Sequence, residues 1–104
     1  MPYSHPYFYK PYFYKEGRLQ VGTAESHADV ADLASRHDGP AYIYDLGHIR
    51  RRFEALNRSF EGSRHTLHYA MKANSNPAVL RLLASLGAGV DTVSAGEIRQ
   101  AIAC

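Results

Sequence analysis

Across 104 residues, 45% of them apolar and 21% charged, the chain carries enough apolar matter for one small domain with a modest core. Its formal net charge of +2 comes from scattered side chains. The one basic run, Arg50-Arg51-Arg52, would fan around a helix as a solvated face rather than form a nucleic-acid surface. A single cysteine, Cys104, excludes an internal disulfide and suits a reducing compartment. No apolar stretch approaches the ~20 residues that span a bilayer, and the first residues lack the pattern of a signal peptide, so a cytoplasmic protein is expected.

The chain opens on a tandem repeat, Pro6-Tyr-Phe-Tyr-Lys10 followed by Pro11-Tyr-Phe-Tyr-Lys15. Two copies are too few for a solenoid. The first copy is expected to belong to a disordered tail over residues 1–11. The second reads as a strand, Tyr12-Phe13-Tyr14, turned at Glu16-Gly17 and answered by Arg18-Leu19-Gln20-Val21, a β-hairpin. Ser26 and Asp29 have the spacing of a capping box. Val30, Leu33 and Ala34 make the apolar stripe of a helix that Gly39-Pro40 should stop.

Residues 41–44, Ala-Tyr-Ile-Tyr, predict a short strand, and Asp45 a cap for the next helix. There Leu46, Ile49, Phe53, Leu56 and Phe60 recur every three or four residues as one apolar face, until Gly62. Residues 66–71 predict a strand closing on Lys72. Asn76-Pro77 is a helix cap with proline at the first helical position, and Val79, Leu80, Leu82, Leu83 and Leu86 follow up to Gly87. Residues 90–93 predict a further strand, and Ser94 to Glu97 a capping box that opens a last helix.

After residue 40 the order is thus β-α-β-α-β-α, which predicts parallel strands joined by helical crossovers. Three such units do not close a (β/α)₈ barrel, which takes about 200 residues or more. An open sheet or the first part of a larger barrel remain. The last helix carries no stop signal before Cys104, which favours the second and reads as the N-terminal part of a longer chain.

Lysine is scarce: nine arginines stand against three lysines, and Lys72 is the only one after residue 15. It follows an apolar strand directly, where parallel α/β folds carry their working residues. A partly desolvated lysine there loses its proton more readily, and its neutral amine can attack a carbonyl. A solvated surface charge explains the same residue, and the residues alone leave both readings open. Asp91, on the next strand, is a carboxylate that could hold or orient that ammonium. Glu97 is explained as the third residue of its capping box, although a carboxylate at a helix start can also face a site. Asn76 is explained as a cap. The six histidines are dispersed, and His65 and His68, three apart on a strand, would face opposite ways, so no metal site is expected. No glycine-rich phosphate loop of P-loop or Rossmann type is present.

Two stretches carry a resemblance. Tyr69-Ala-Met-Lys-Ala-Asn-Ser-Asn-Pro77 and Gly87-Ala-Gly-Val-Asp-Thr-Val-Ser-Ala-Gly-Glu97 closely resemble the fold-type III, alanine-racemase-like pyridoxal-phosphate decarboxylases, and within them the diaminopimelate branch. Pro40-Ala-Tyr-Ile-Tyr-Asp45 and Tyr12-Phe-Tyr-Lys-Glu-Gly17 are similar to the same family's N-terminal region, so the likeness runs from Tyr12 to the end.

The resemblance implies a (β/α)₈ TIM barrel and a second, β domain. Residues 1–40 would contribute a hairpin and helix to the β domain, and residues 41–104 the opening units of the barrel. It implies that Lys72 is the catalytic lysine and binds pyridoxal 5'-phosphate covalently, with Asp91 and Glu97 near the cofactor. It implies an amino-acid substrate, meso-diaminopimelate decarboxylated to L-lysine, and a homodimer. In this family the glycine-rich phosphate site, the acid facing the pyridine nitrogen and a cysteine from the partner subunit lie further along the chain. Cys104 does not match that cysteine, and these 104 residues alone are expected to be inactive. An ornithine- or arginine-type decarboxylase of the same fold, or a non-catalytic barrel relative, are the alternatives.

Overall fold

The computed structural model of the protein describes residues 11–104, so the first repeat copy and the predicted tail up to residue 10 lie outside the described residues. The chain divides into two compact units, Met1–His48 and Ile49–Cys104.

In the first unit the hairpin forms as its sequence predicts. Strand β1 (Tyr12–Lys15) pairs antiparallel with β2 (Arg18–Gly22), with Tyr12 opposite Val21 and Lys15 opposite Arg18. Glu16 and Gly17 both take positive φ, 51° and 75°. That is the twist a two-residue hairpin loop needs to match the twist of its strands. The ladder begins at Pro11, whose carbonyl accepts the Gly22 N–H at 2.8 Å.

The sheet then gains a strand where the sequence predicts a helix start. Strand β3 (His27–Asp29) pairs antiparallel with β2, placing Asp29 opposite Gln20. Gly22 permits the tight connection: its φ is 126°, and a Cβ there would lie 2.3 Å from the Ser26 carbonyl oxygen. The connection is closed by Thr23, whose Oγ1 accepts the Ser26 N–H at 3.0 Å. The Ser26–Asp29 capping box therefore does not form, because these residues are held by ladder bonds and by Thr23. Asp29 is itself the N-cap, accepting the Asp32 N–H at 3.0 Å, and helix α1 (Val30–Ala34) is a single short stretch. It ends at Ser35, before the predicted Gly39 stop, where the Ser35 hydroxyl takes the Asp32 carbonyl at 2.7 Å.

Residues 41–44 form no strand. A strand exists only through a ladder, and β1, β2 and β3 pair with one another instead. Tyr42, 90% exposed, stacks on Tyr44, and the Ile43 carbonyl accepts the Tyr12 hydroxyl at 3.0 Å.

Helix α2 (Leu46–Ser59) follows directly on Asp45. The second unit continues with β4 (His68–Ala70), α3 (Pro77–Ser85), β5 (Gly89–Asp91) and α4 (Ala95–Ala103). Strands β4 and β5 run parallel, pairing His68 with Gly89, Tyr69 with Val90 and Ala70 with Asp91. This is the predicted βαβ crossover, with strands shorter than the apolar runs because only paired residues join the ladder. Gly89 lets the strands approach, since a Cβ there would lie 2.5 Å from the His68 ring.

Helix α3 has both predicted ends. Asn76 Oδ1 accepts the Ala78 N–H at 2.9 Å, with Pro77 at the first helical position. At its C-terminus Gly87 (φ 88°) closes a paired motif: its N–H reaches the Ala84 carbonyl, and the Ala88 N–H reaches that of Leu83, both at 3.0 Å. Val79, Leu80 and Leu83 of α3 are buried together with Met71, which is completely inaccessible. The observed class is a mixed α/β structure. No helix among the described residues is long and apolar enough to cross a membrane.

Candidate functional site

The parallel pairing of β4 and β5 decides what stands at their common end. Ala70 and Asp91 are the last ladder pair, and the chain beyond each leaves from the same edge. Beyond β4 the backbone tightens into one 3₁₀ turn, Met71–Ala73, rather than closing directly on Lys72 as predicted. Successive side chains of such a turn point about a third of a revolution apart. Met71 drops fully into the core and Lys72, next to it, is carried to the surface. Among the described residues the Lys72 ammonium has no hydrogen-bond or ion-pair partner.

Asp91 is exposed at the same sheet edge, so the structure brings it to the end of the ladder that Lys72 follows. Glu97 is half-buried in the first turn of α4, and its Oε2 accepts the Val93 N–H at 2.6 Å. Ser94 Oγ in turn accepts the Glu97 N–H at 3.1 Å. The predicted capping box is present, reaching one residue further back than its usual form, and Glu97 is engaged in it.

Two residues that the sequence did not single out hold the segment after Lys72. The Tyr69 hydroxyl donates to the Asn74 carbonyl at 2.8 Å, and Gln100 Nε2 donates to the Ser75 carbonyl at 2.7 Å. Asn76, read as a cap, is one. Of the two histidines considered for metal, His65 is engaged elsewhere, its Nε2 2.8 Å from Asn57 Oδ1 and its ring against Phe60, and His68 stands at the opposite end of the β4–β5 ladder from Asp91.

Residues 46–104, which contain Lys72, Asp91 and Glu97, match the family model described as "Pyridoxal-dependent decarboxylase, pyridoxal binding domain". The chain belongs to this family. Two curated diaminopimelate decarboxylases illustrate the likeness. That of Methanothermobacter thermautotrophicus is 42% identical over 89 residues, covering 84% of this chain and 20% of the relative. That of Aquifex aeolicus is 38% identical over 91 residues, covering 86% of this chain and 20% of the relative. A crystal structure of AQ1208 from Aquifex aeolicus superposes with a TM-score of 0.74 at 37% identity, covering 88% of this chain and 22% of that one. The chain spans about a fifth of the length of the curated decarboxylases it matches. The pyridoxal-dependent family thus supplies the cofactor class.

Proposed function

We propose that this chain is part of a pyridoxal-phosphate-dependent diaminopimelate decarboxylase, acting in the cytoplasm as a homodimer, with Lys72 as the cofactor anchor. The observation that carries the reading is the Lys72 turn. A lone primary amine stands beyond the C-terminal end of a parallel strand, beside a fully buried Met71, within the segment that matches a pyridoxal-binding domain. Residues 41–104 are read as opening units of a (β/α)₈ barrel, in which strand C-terminal ends form the active face. Residues 1–40 are read as belonging to a separate β domain. The likeness of the Lys72 and Asp91 segments supports the first, and that of Tyr12–Gly17 and Pro40–Asp45 to the family's N-terminal region supports the second.

Pyridoxal phosphate, when bound, supplies an electron-withdrawing ring that takes up the electron pair left as carbon dioxide departs. The protein's own residues have simpler tasks. Lys72 offers its amine to the aldehyde. Asp91, at the same end of the ladder, would orient the Lys72 side chain as an opposite charge and lie near the bound cofactor. Glu97 secures the start of α4 through the Val93 N–H, and its role toward the cofactor would be through that placement. Diaminopimelate is favoured over ornithine or arginine as substrate because relatives at 38–42% identity carry that activity in their names.

In the whole protein supplied with pyridoxal phosphate, the absorption band of lysine-bound pyridoxal, at longer wavelength than that of the free aldehyde, should appear, and Lys72→Ala should abolish it. A band that survives the substitution overturns the assignment.

A further inference from the structure

The segment that follows Lys72 lies between a 3₁₀ turn and α3, outside any helix or ladder, so its polar backbone groups need other partners. Asn76 serves α3: its carbonyl accepts the N–H groups of Val79 at 3.0 Å and Leu80 at 3.1 Å. Asn74 Oδ1 accepts the Asn76 N–H at 3.0 Å. The carbonyls of Asn74 and Ser75 are taken by side chains, the first by Tyr69 and the second by Gln100. Tyr69 is on β4, five residues before its partner, so its bond closes a local loop. Gln100 is on α4, 25 residues beyond Ser75, and ties the segment to another helix.

The identity of the bonded atom follows from chemistry. A carbonyl only accepts, so the end of the Gln100 amide that faces it must be the NH₂ group. Helix α4 is itself fixed at its start by Ser94 and Glu97, and Gln100 is half-buried. Its amide is therefore presented from a secured support rather than from a loose surface.

We propose that Gln100 is a positioning residue for Lys72: by donating to the Ser75 carbonyl it fixes the segment downstream of the lysine turn and so holds the amine where it meets the cofactor aldehyde. The inference rests on the reading of Lys72 as the cofactor anchor. Gln100 itself does not touch the reacting atoms.

The test compares lysines within one molecule. The protein is incubated with pyridoxal phosphate and then reduced with borohydride. Amine and aldehyde condense with loss of one water, and hydride from borohydride reduces the C=N bond to a secondary amine. Mass spectrometry then measures the phosphopyridoxyl group on Lys72 against that on Lys15, which is exposed on the hairpin. Lys72 should be labelled well above Lys15. Gln100→Met keeps length and helix propensity but removes the donor. Gln100→Glu keeps the shape but sets a carboxylate oxygen against a carbonyl. Each should lower the ratio about fivefold, the factor that one hydrogen bond supplies. Arg99→Met, at the exposed neighbouring position of α4, should leave it unchanged. A wild-type ratio in both Gln100 variants, with Lys72 still preferred, overturns the positioning role and leaves the anchor standing. A wild-type ratio near one overturns the anchor and the positioning role together. An equal fall in Arg99→Met assigns the effect to general loosening of α4 and overturns the inference.

Discussion

The two units treat their charged groups in opposite ways. In the first, Arg18 is clamped: its Nε lies 2.5 Å from Asp29 Oδ2, and its Nη2 lies 2.9 Å from Asp29 Oδ1 and 3.1 Å from Asp32 Oδ1. Gln20, a buried polar residue, adds a bond to Asp29 Oδ2 at 3.2 Å. Asp29 thereby joins β2, β3 and the start of α1 through one carboxylate. In the second unit, Lys72 sits in the 3₁₀ turn beside buried Met71, and its charged end has no partner among the described residues. A charge fully engaged in two-pronged bonding is a structural fastener. A charge on a fixed backbone with a free end is available for chemistry. Arg18 and Lys72 fit that division, since guanidinium suits fork-like pairing and an amine suits attack on a carbonyl.

The largest effect that would blur this comparison comes from removing the anchor beneath the lysine. Met71→Ala opens a cavity at the one completely inaccessible side chain of the described core, which should cost about 3 kcal/mol. It should lower the urea midpoint of the whole protein and increase amide exchange in β4 and α3. An unchanged midpoint would mean that the Lys72 turn is not held from below.

The smaller effect sharpens the other side. Hydrogen bonding from Arg18, then the bond from the Asp32 N–H, holds the Asp29 carboxyl well below the usual carboxylate range, against an opposing contribution from burial. Its folded value is depressed, so the stability it contributes is full above the ordinary carboxylate value of about 3.9. That contribution fades as pH falls from there toward the lowered value. Amide exchange in β2 and β3 should therefore rise below about pH 4, and Asp29→Asn should remove most of that pH dependence while raising exchange at neutral pH. A pH dependence unaltered in Asp29→Asn would show that other carboxylates control the sheet.

Much of this was legible in the sequence where the signals are local. Asn76-Pro77 and Gly87 bound α3 because caps act within a few residues. Glu16-Gly17 marks the hairpin because its loop needs two positive φ values. The Ser94–Glu97 box formed for the same reason. Misreadings arose where a local pattern competed with a distant partner. Ser26 and Asp29 have capping-box spacing, but pairing with β2 draws residues 27–29 into a ladder and moves the cap to Asp29 itself. Residues 41–44 have the composition of a strand without a ladder to join. At the candidate site Lys72 was visible through its scarcity and its flanking motif. Gln100 was not, because periodicity does not say which polar residue of a helix meets a carbonyl 25 positions away.

Lys72→Arg separates an amine used for chemistry from a surface charge directly. Arginine keeps the positive charge and the long stem but cannot condense with an aldehyde at neutral pH. With pyridoxal phosphate and meso-diaminopimelate supplied to the whole protein, carbon dioxide release should fall to background in Lys72→Arg. Release near the wild-type rate would contradict it.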